Sequence, residues 1–288
     1  MFGARRSLFD VYLSLIFMHA LSKTKALACA VAAAKASGKL MRENLNAPKK
    51  INSETSHDIK LELDVRSQKL IEKKLRAAFP QVAFLGEEGT AGPADAEFRW
   101  VVDPIDGTVN FTHGIPHAAV SIALQSRIGR NPQSAIRNPQ SQYETLVGVV
   151  YDPFTDELWT AIRGGPARLN GKKIHASDRR GLSKCIVSVG FAKGYAELER
   201  AIPYFLWIAR RVRKIRMFGS AALGLTYVAS GRIDAYLERG ISIWDIAAGG
   251  LIIECAGGKF WTEPIRGRHK FRMISSNGLI HDRLPIPR

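Results

Sequence analysis

At 288 residues the chain has room for one large domain or two fused halves around a substantial core, and 46% hydrophobic with 24% charged residues is ordinary for a soluble globular protein. Its three cysteines, Cys29, Cys185 and Cys255, are too few and too widely spaced for a disulfide framework or a C-x-x-C metal knuckle, which suits a reducing cytosol. The net charge of +16 favours anionic partners such as nucleic acid, anionic membranes or phosphorylated ligands; no RNP-type aromatics, zinc-finger spacing or KH-type glycine loop accompany it, so the basic run Arg210 to Arg216 reads as a solvated face.

Residues 1–21 carry Arg5-Arg6 and an apolar stretch from Val11 to Leu21 that is too short to span a bilayer. Asp10, His19, Lys23 and Lys25 argue against a cleaved signal, so the segment is expected to be an N-terminal extension outside the fold, with Met18 as an alternative start. The catalytic domain is expected over 22–288. Ser22 to Asn46, alanine-rich and free of proline, predicts a long helix with Leu27, Val31, Ala34, Leu40 and Met41 near helical spacing. Alternation from Asp58 to Asp64 predicts a strand or extended arm reaching Asp64. A second helix follows over Val65–Phe79, with Pro80 as its stop. Val82 to Leu85 predicts a short buried strand that ends in Gly86-Glu87-Glu88-Gly89.

Strands are expected at Ala118–Gln125 and Thr145–Asp152. Between them, Asn-Pro-Gln-Ser occurs twice in a tract far longer than a hairpin loop, so 127–142 is expected to be a mobile insertion. Further strands are expected at Glu157–Ala161, Cys185–Gly190 and Ile233–Glu238, with the last two near Lys259–Thr262 and Phe271–Ser275. Tyr195–Arg213 reads as mainly helical, and a further helix runs to Ala229. Asp245 is placed as the N-cap of a helix over Ile246–Ala256. Strands and helices in alternation point to layered sheets with helices.

The chemistry concentrates at Trp100-Val101-Val102-Asp103-Pro104-Ile105-Asp106-Gly107-Thr108. An apolar strand end meets Pro104, which lacks a backbone donor and is expected to stop the strand and turn it. Asp103 and Asp106 then flank a bend and can face one point. Gly107 permits a conformation a Cβ would block, and Thr108 can open a helical turn. Two carboxylates want a hard cation, and free amides at a helix start want an anion such as phosphate. The same residues also suit an Asx-turn in which Asp106 caps a short helix. His113 and His117 fit no zinc pattern and read as structural or rim residues.

Together with Glu238 and Trp244-Asp245-Ile246-Ala247-Ala248-Gly249, and with Glu254-Cys255-Ala256-Gly257-Gly258 after them, these motifs resemble the inositol monophosphatase family of magnesium-dependent, lithium-sensitive phosphomonoesterases. The resemblance covers about 22–282 and implies an α+β fold, a layered α-β-α-β-α sandwich of the inositol monophosphatase and sugar phosphatase type, commonly dimeric. It implies two or three Mg2+ ions on Glu87, Asp103, the carbonyl of Ile105, Asp106 and Asp245. It sets the phosphate over Gly107 and Thr108 and counts Thr108, Asp64 and Glu87 as catalytic, with Thr108, hydrogen-bonded to Asp64, orienting the attacking water. Glu238, Ser220, Ala221 and Asp245 fall on the substrate side.

Three departures stand out. Gly190-Phe191-Ala192-Lys193 lacks a serine pair that some members carry near the substrate; Lys49 and Lys50 are only candidates for a mobile lysine-bearing metal loop; and the insertion is foreign to the pattern. The expected function is a cytoplasmic phosphomonoesterase acting on a small phosphorylated polyol, myo-inositol monophosphate first, without a membrane role. Fructose bisphosphate, histidinol phosphate and phosphoadenosine phosphate are alternative substrates. An RNA-associated regulatory protein that keeps the phosphatase core is the alternative class.

Overall fold

The computed structural model describes residues 22–55, 58–128, 142–191 and 195–287. The expected N-terminal extension and most of the expected insertion lie outside the described residues. Helix α1 (Lys23–Asn44) starts where Ser22 leaves the chain extended and its hydroxyl accepts from Lys25 N at 3.2 Å, satisfying one amide that a helix start leaves unpaired. Its buried face is made of small residues, Ala26, Ala30, Ala33, Ala34, Ser37 and Gly38, with Met41. Leu27, Val31 and Leu40 pack only at the margins. The small stripe lets the helix lie close on the sheet, and a Cβ on Gly38 would reach to 2.5 Å from the Tyr151 ring.

A two-stranded ribbon, β1 (Ile51–Thr55) and β2 (Asp58–Leu61), leads into α2 (Glu62–Ala78). The extended arm therefore stops at Leu61 instead of reaching Asp64. Asp64 lies in the first turn of α2, where its Oδ2 accepts from Leu61 N at 2.8 Å, so the acid starts the helix that alternation alone had begun at Val65.

Eight strands form the first sheet in the order β10-β9-β8-β7-β6-β5-β3-β4. They are β3 (Ala83–Gly86), β4 (Gly89–Ala91), β5 (Phe98–Asp106), β6 (Ala119–Arg127), β7 (Tyr143–Asp152), β8 (Glu157–Ile162), β9 (Arg168–Leu169) and β10 (Lys172–Lys173). The second sheet runs β12-β11-β13-β15-β14, built from β11 (Ile186–Val189), β12 (Lys214–Arg216), β13 (Ala235–Ser242), β14 (Lys259–Pro264) and β15 (Lys270–Ser276). Edge strand β12 covers residues to which the sequence reading assigned no element, and the helix before it, α4 (Tyr195–Ala209), ends four residues before the expected Arg213.

The layers follow from which side chains each strand sends to each face. In β5, Trp100 and Val102 join Ile71 and Leu75 of α2 and Ala30 of α1 in one core, while Val101 joins a second core on the opposite face. That second core holds α5 (Ala221–Ala229) and α6 (Ile243–Cys255), which lie between the two sheets. In β13, Tyr236 points into it, while Ala235 and Leu237 face Ala201, Tyr204 and Ile208 of α4. Each central strand is thus covered on both faces and reads as a continuous apolar run. The result is the expected α-β-α-β-α sandwich.

Candidate active site

Strand β3 runs parallel to β5, with Gly86 opposite Val102, so Glu87 and Asp103 emerge at the same end of the sheet. Glu87 N donates to Val102 O at 3.2 Å. Contrary to the sequence reading, β5 does not stop at Pro104. It stays buried to Asp106, with its register against β6 shifting between Asp103 and Asp106. A bulge is where a strand tolerates proline, because no ladder donor is needed there. Ile105 N turns instead to Asp103 Oδ1 at 3.0 Å. Gly107 follows at φ 96° and opens the short helix α3 (Thr108–Thr112). A Cβ there would sit 3.0 Å from His117 O and 3.2 Å from Gly219 O, so the position demands glycine.

Asp106 does not cap the short helix beside it. Its Oδ1 accepts from Ala221 N at 3.1 Å and its Oδ2 from Ala222 N at 2.8 Å and from the Ser220 hydroxyl. Asp106 therefore anchors the start of α5, for which Ser220 is the N-cap. Asp245 also differs from expectation. Ser242 is the N-cap of α6, and Asp245 closes a capping box from the third helical position, its Oδ2 accepting from Ser242 N at 2.9 Å. The run Ser242-Ile243-Trp244-Asp245 is an S-x-x-D box, a signal present in the sequence. The anchoring of Asp106 had none, since Ser220 lies 114 residues away.

Ligand oxygens of Asp103, Asp106 and Asp245 lie within 4.8 Å of one another, at the base of a cavity of about 320 Å3. Glu87, Ile105, Gly107, Thr108, Ser220, Ala221 and Glu238 line the same cavity; Asp64 does not. Burial, then the negative charges of Glu87, Asp106 and Asp245, push the Asp103 carboxyl well above its ordinary range. Burial and the charges of Glu87 and Asp106 raise Asp245 in the same way. Every charge that perturbs Asp103 is negative, and a cation held among these carboxylates would favour their ionised forms together. The donors are all oxygen, without His or Cys, which fits hard divalent cations better than zinc.

Thr108 donates its hydroxyl to Ile105 O at 2.9 Å rather than to Asp64. Glu238 accepts from the Tyr236 hydroxyl and packs so tightly on Gly190 that a Cβ there would overlap its carboxylate. The pairings that would make Glu238 a mere surface acid go elsewhere: Arg239 pairs with Glu197 at 2.7 Å, and Arg232 pairs with Glu157. His117 stacks on Phe218 at 5.6 Å between ring centroids, a packing role. Lys49 donates to the carbonyls of Asn44, Leu45 and Ala47 at 2.6–2.8 Å, so it caps the end of α1 instead of serving a mobile metal loop.

The chain matches the model of the inositol monophosphatase family over residues 22–264. It is similar to a Rhizobium meliloti inositol-1-monophosphatase, 39% identical over 72% of each chain. It is 38% identical to the Nus factor SuhB of Escherichia coli, over 86% of this chain and 88% of that one. Among solved structures, the SuhB extragenic suppressor protein of Bartonella henselae superposes with a TM-score of 0.78 at 32% identity, covering 89% of this chain and 95% of that one. The inositol monophosphatase of Anabaena superposes at 0.74 with 33% identity, covering 90% and 96%. With the two aspartate motifs, the layered fold and these relatives in agreement, the chain belongs to the inositol monophosphatase family.

Proposed function

We propose that the protein is a magnesium-dependent phosphomonoesterase that hydrolyses a small phosphorylated polyol, with myo-inositol monophosphate as the first candidate. The observation that carries this reading is the Asp103, Asp106 and Asp245 cluster set beside the Gly107–Thr108 helix start in one cavity. Divalent ions there, two or three Mg2+ on Glu87, Asp103, Ile105 O, Asp106 and Asp245, would neutralise the dianionic ester and supply a water of lowered pKa. Gly107 and Thr108 offer first-turn amides, which a helix leaves without internal partners, to the phosphate oxygens. The Thr108 hydroxyl spends its proton on Ile105 O, so its lone pairs remain to accept from the attacking water and aim it. Glu238, held by Tyr236, accepts from hydroxyls of the alcohol half. By family resemblance, the reading includes a cytoplasmic homodimer and inhibition by lithium.

A screen of phosphate release with magnesium, across myo-inositol 1-phosphate, fructose bisphosphate, histidinol phosphate and phosphoadenosine phosphate, tests the reading. Magnesium-dependent turnover of the inositol ester, lost on chelation, is the expected result. Absence of turnover on every substrate would overturn it.

A second reading, association with RNA, is favoured by one surface. Arg210, Arg211, Arg213, Lys214 and Arg216 are exposed beyond α4, and none forms an ion pair with a carboxylate among the described residues. Arg283 lines the same surface recess as Arg211 and Trp207 and so extends the patch. Salt-sensitive retention of RNA that falls in Arg211→Ala/Arg213→Ala supports this reading, and retention unaffected by those changes removes it.

A further inference from the structure

Five carboxylates line the cavity: Glu87, Asp103, Asp106, Glu238 and Asp245. Among the described residues that line it, Lys270 is the only cation. Metal binding and water activation make no use of this lysine. Its ammonium donates to Ser242 Oγ at 2.7 Å, and none of the ion pairs among the described residues includes it. An ammonium has three donors, so the bond to Ser242 fixes its position while leaving two to meet a ligand. The anchor is itself held, because Ser242 is the N-cap of α6 and its main-chain N donates to Asp245 Oδ2 at 2.9 Å.

The strand register sets where this cation stands. On the antiparallel pair β13–β15, Glu238 lies opposite Met273, and Ser242 lies opposite Lys270. Glu238 and Ser242 are four residues apart on β13, about 13 Å at 3.3 Å per residue, and a bulge between Arg239 and Ile241 shortens that span. The cavity therefore has a hydroxyl acceptor towards one end of the ladder and a fixed ammonium at the other, and the carboxylate cluster lines the same cavity.

Resting on the phosphomonoesterase reading, we infer that Lys270 is a specificity-determining residue that receives a second anionic group, a phosphate or a carboxylate, on the alcohol half of the substrate. The preferred substrates are then phosphate monoesters that carry a second anion. A lysine that only braced α6 would need Ser242 but would not need to line the cavity. An ammonium without a carboxylate partner, facing a cavity that is otherwise negative, is paired when a bis-anionic ligand enters, and a neutral alcohol half leaves it unpaired.

The test compares myo-inositol 1,4-bisphosphate with myo-inositol 1-phosphate on the full chain, as wild type, Lys270→Met and Lys270→Arg. The ratio of kcat/KM, bisphosphate over monophosphate, should fall roughly tenfold or more in Lys270→Met, through KM rather than kcat, and return in Lys270→Arg. Calorimetric binding of the same two ligands in the presence of magnesium should show the same lost preference, and this arm needs no turnover. Equal losses on both ligands, or no loss on either, would overturn the inference; a fall in Tm with equal losses would make Lys270 a brace for α6. If no phosphate is released but wild type still binds the bisphosphate more tightly through Lys270, the phosphomonoesterase reading fails and the anion subsite stands.

Discussion

The Ser220 hydroxyl donates to the carboxylate of Asp106, joining the bend after β5 to the start of α5 across 114 residues. The same carboxylate takes Ala221 N and Ala222 N, so one side chain is both a metal-ligand candidate and the cap of a helix between the sheets. Asp106→Asn replaces one accepting oxygen with a donor that faces other donors. It should abolish turnover and also lower stability by about 1–2 kcal/mol, or roughly 3–6 °C in Tm. Ser220→Ala should show a similar thermal loss with turnover only partly reduced. Thermal melts alongside phosphate-release assays decide the matter, and an unchanged Tm in Asp106→Asn would remove the capping role.

That dual use explains why the site was only partly legible in the sequence. Asp103 and Asp106 could be named because carboxylate spacing and glycine are local signals, and Asp245 because its Trp244–Gly249 motif carries the family resemblance. Three other features are tertiary. Pro104 sits inside β5 because the bulge against β6 absorbs it, and a single strand's sequence does not reveal its partner's register. Asp64 closes the first turn of α2, although its surroundings alternate like a strand. Lys49 looked free to move but is bound by three carbonyls at the end of α1. Layered sheets with helices followed from the alternation of strands and helices along the chain, and the order of the layers from the family resemblance.

Stability should depend on pH and on divalent cations together. Asp103 and Asp245 have carboxyls raised above the ordinary value of 3.8 by burial and by one another's neighbours. A folded state that holds protons more tightly than the unfolded chain loses stability as pH rises from 3.8 through the raised values. With a chelator present, Tm should fall between about pH 5 and about pH 8. Magnesium should reverse most of that fall, because a bound cation favours the ionised pair. Identical pH profiles with and without magnesium would separate this cluster from metal binding.

Thr108 and Asp64 should act independently. The Thr108 hydroxyl donates to Ile105 O and lines the cavity, whereas Asp64 accepts from Leu61 N at the start of α2. Thr108→Ala should lower kcat by about 10²–10⁴ with little change in Tm. Asp64→Asn should cost about 1 kcal/mol of stability. Their effects on kcat should add in the double variant. Strong non-additivity in kcat would restore a direct Thr108–Asp64 proton path.

Discrimination between alcohol halves should rest on Glu238. Its carboxylate is held by the hydroxyl of Tyr236, a buried phenol whose pKa is raised well above 10.0 by burial and by the Glu238 charge. Tyr236 thus stays protonated and donates, which keeps the Glu238 acceptor aimed at the cavity. Glu238→Gln should weaken turnover of inositol phosphate by about tenfold or more while changing p-nitrophenyl phosphate little, since only the polyol offers hydroxyls to the lost acceptor. Gly190→Ala should do the same by a different route, because a Cβ at Gly190 would displace the carboxylate without altering its charge. If both variants lose activity equally on both substrates, Glu238 serves the metal cluster or the fold. If neither variant changes the ratio, the hydroxyls are read elsewhere in the cavity.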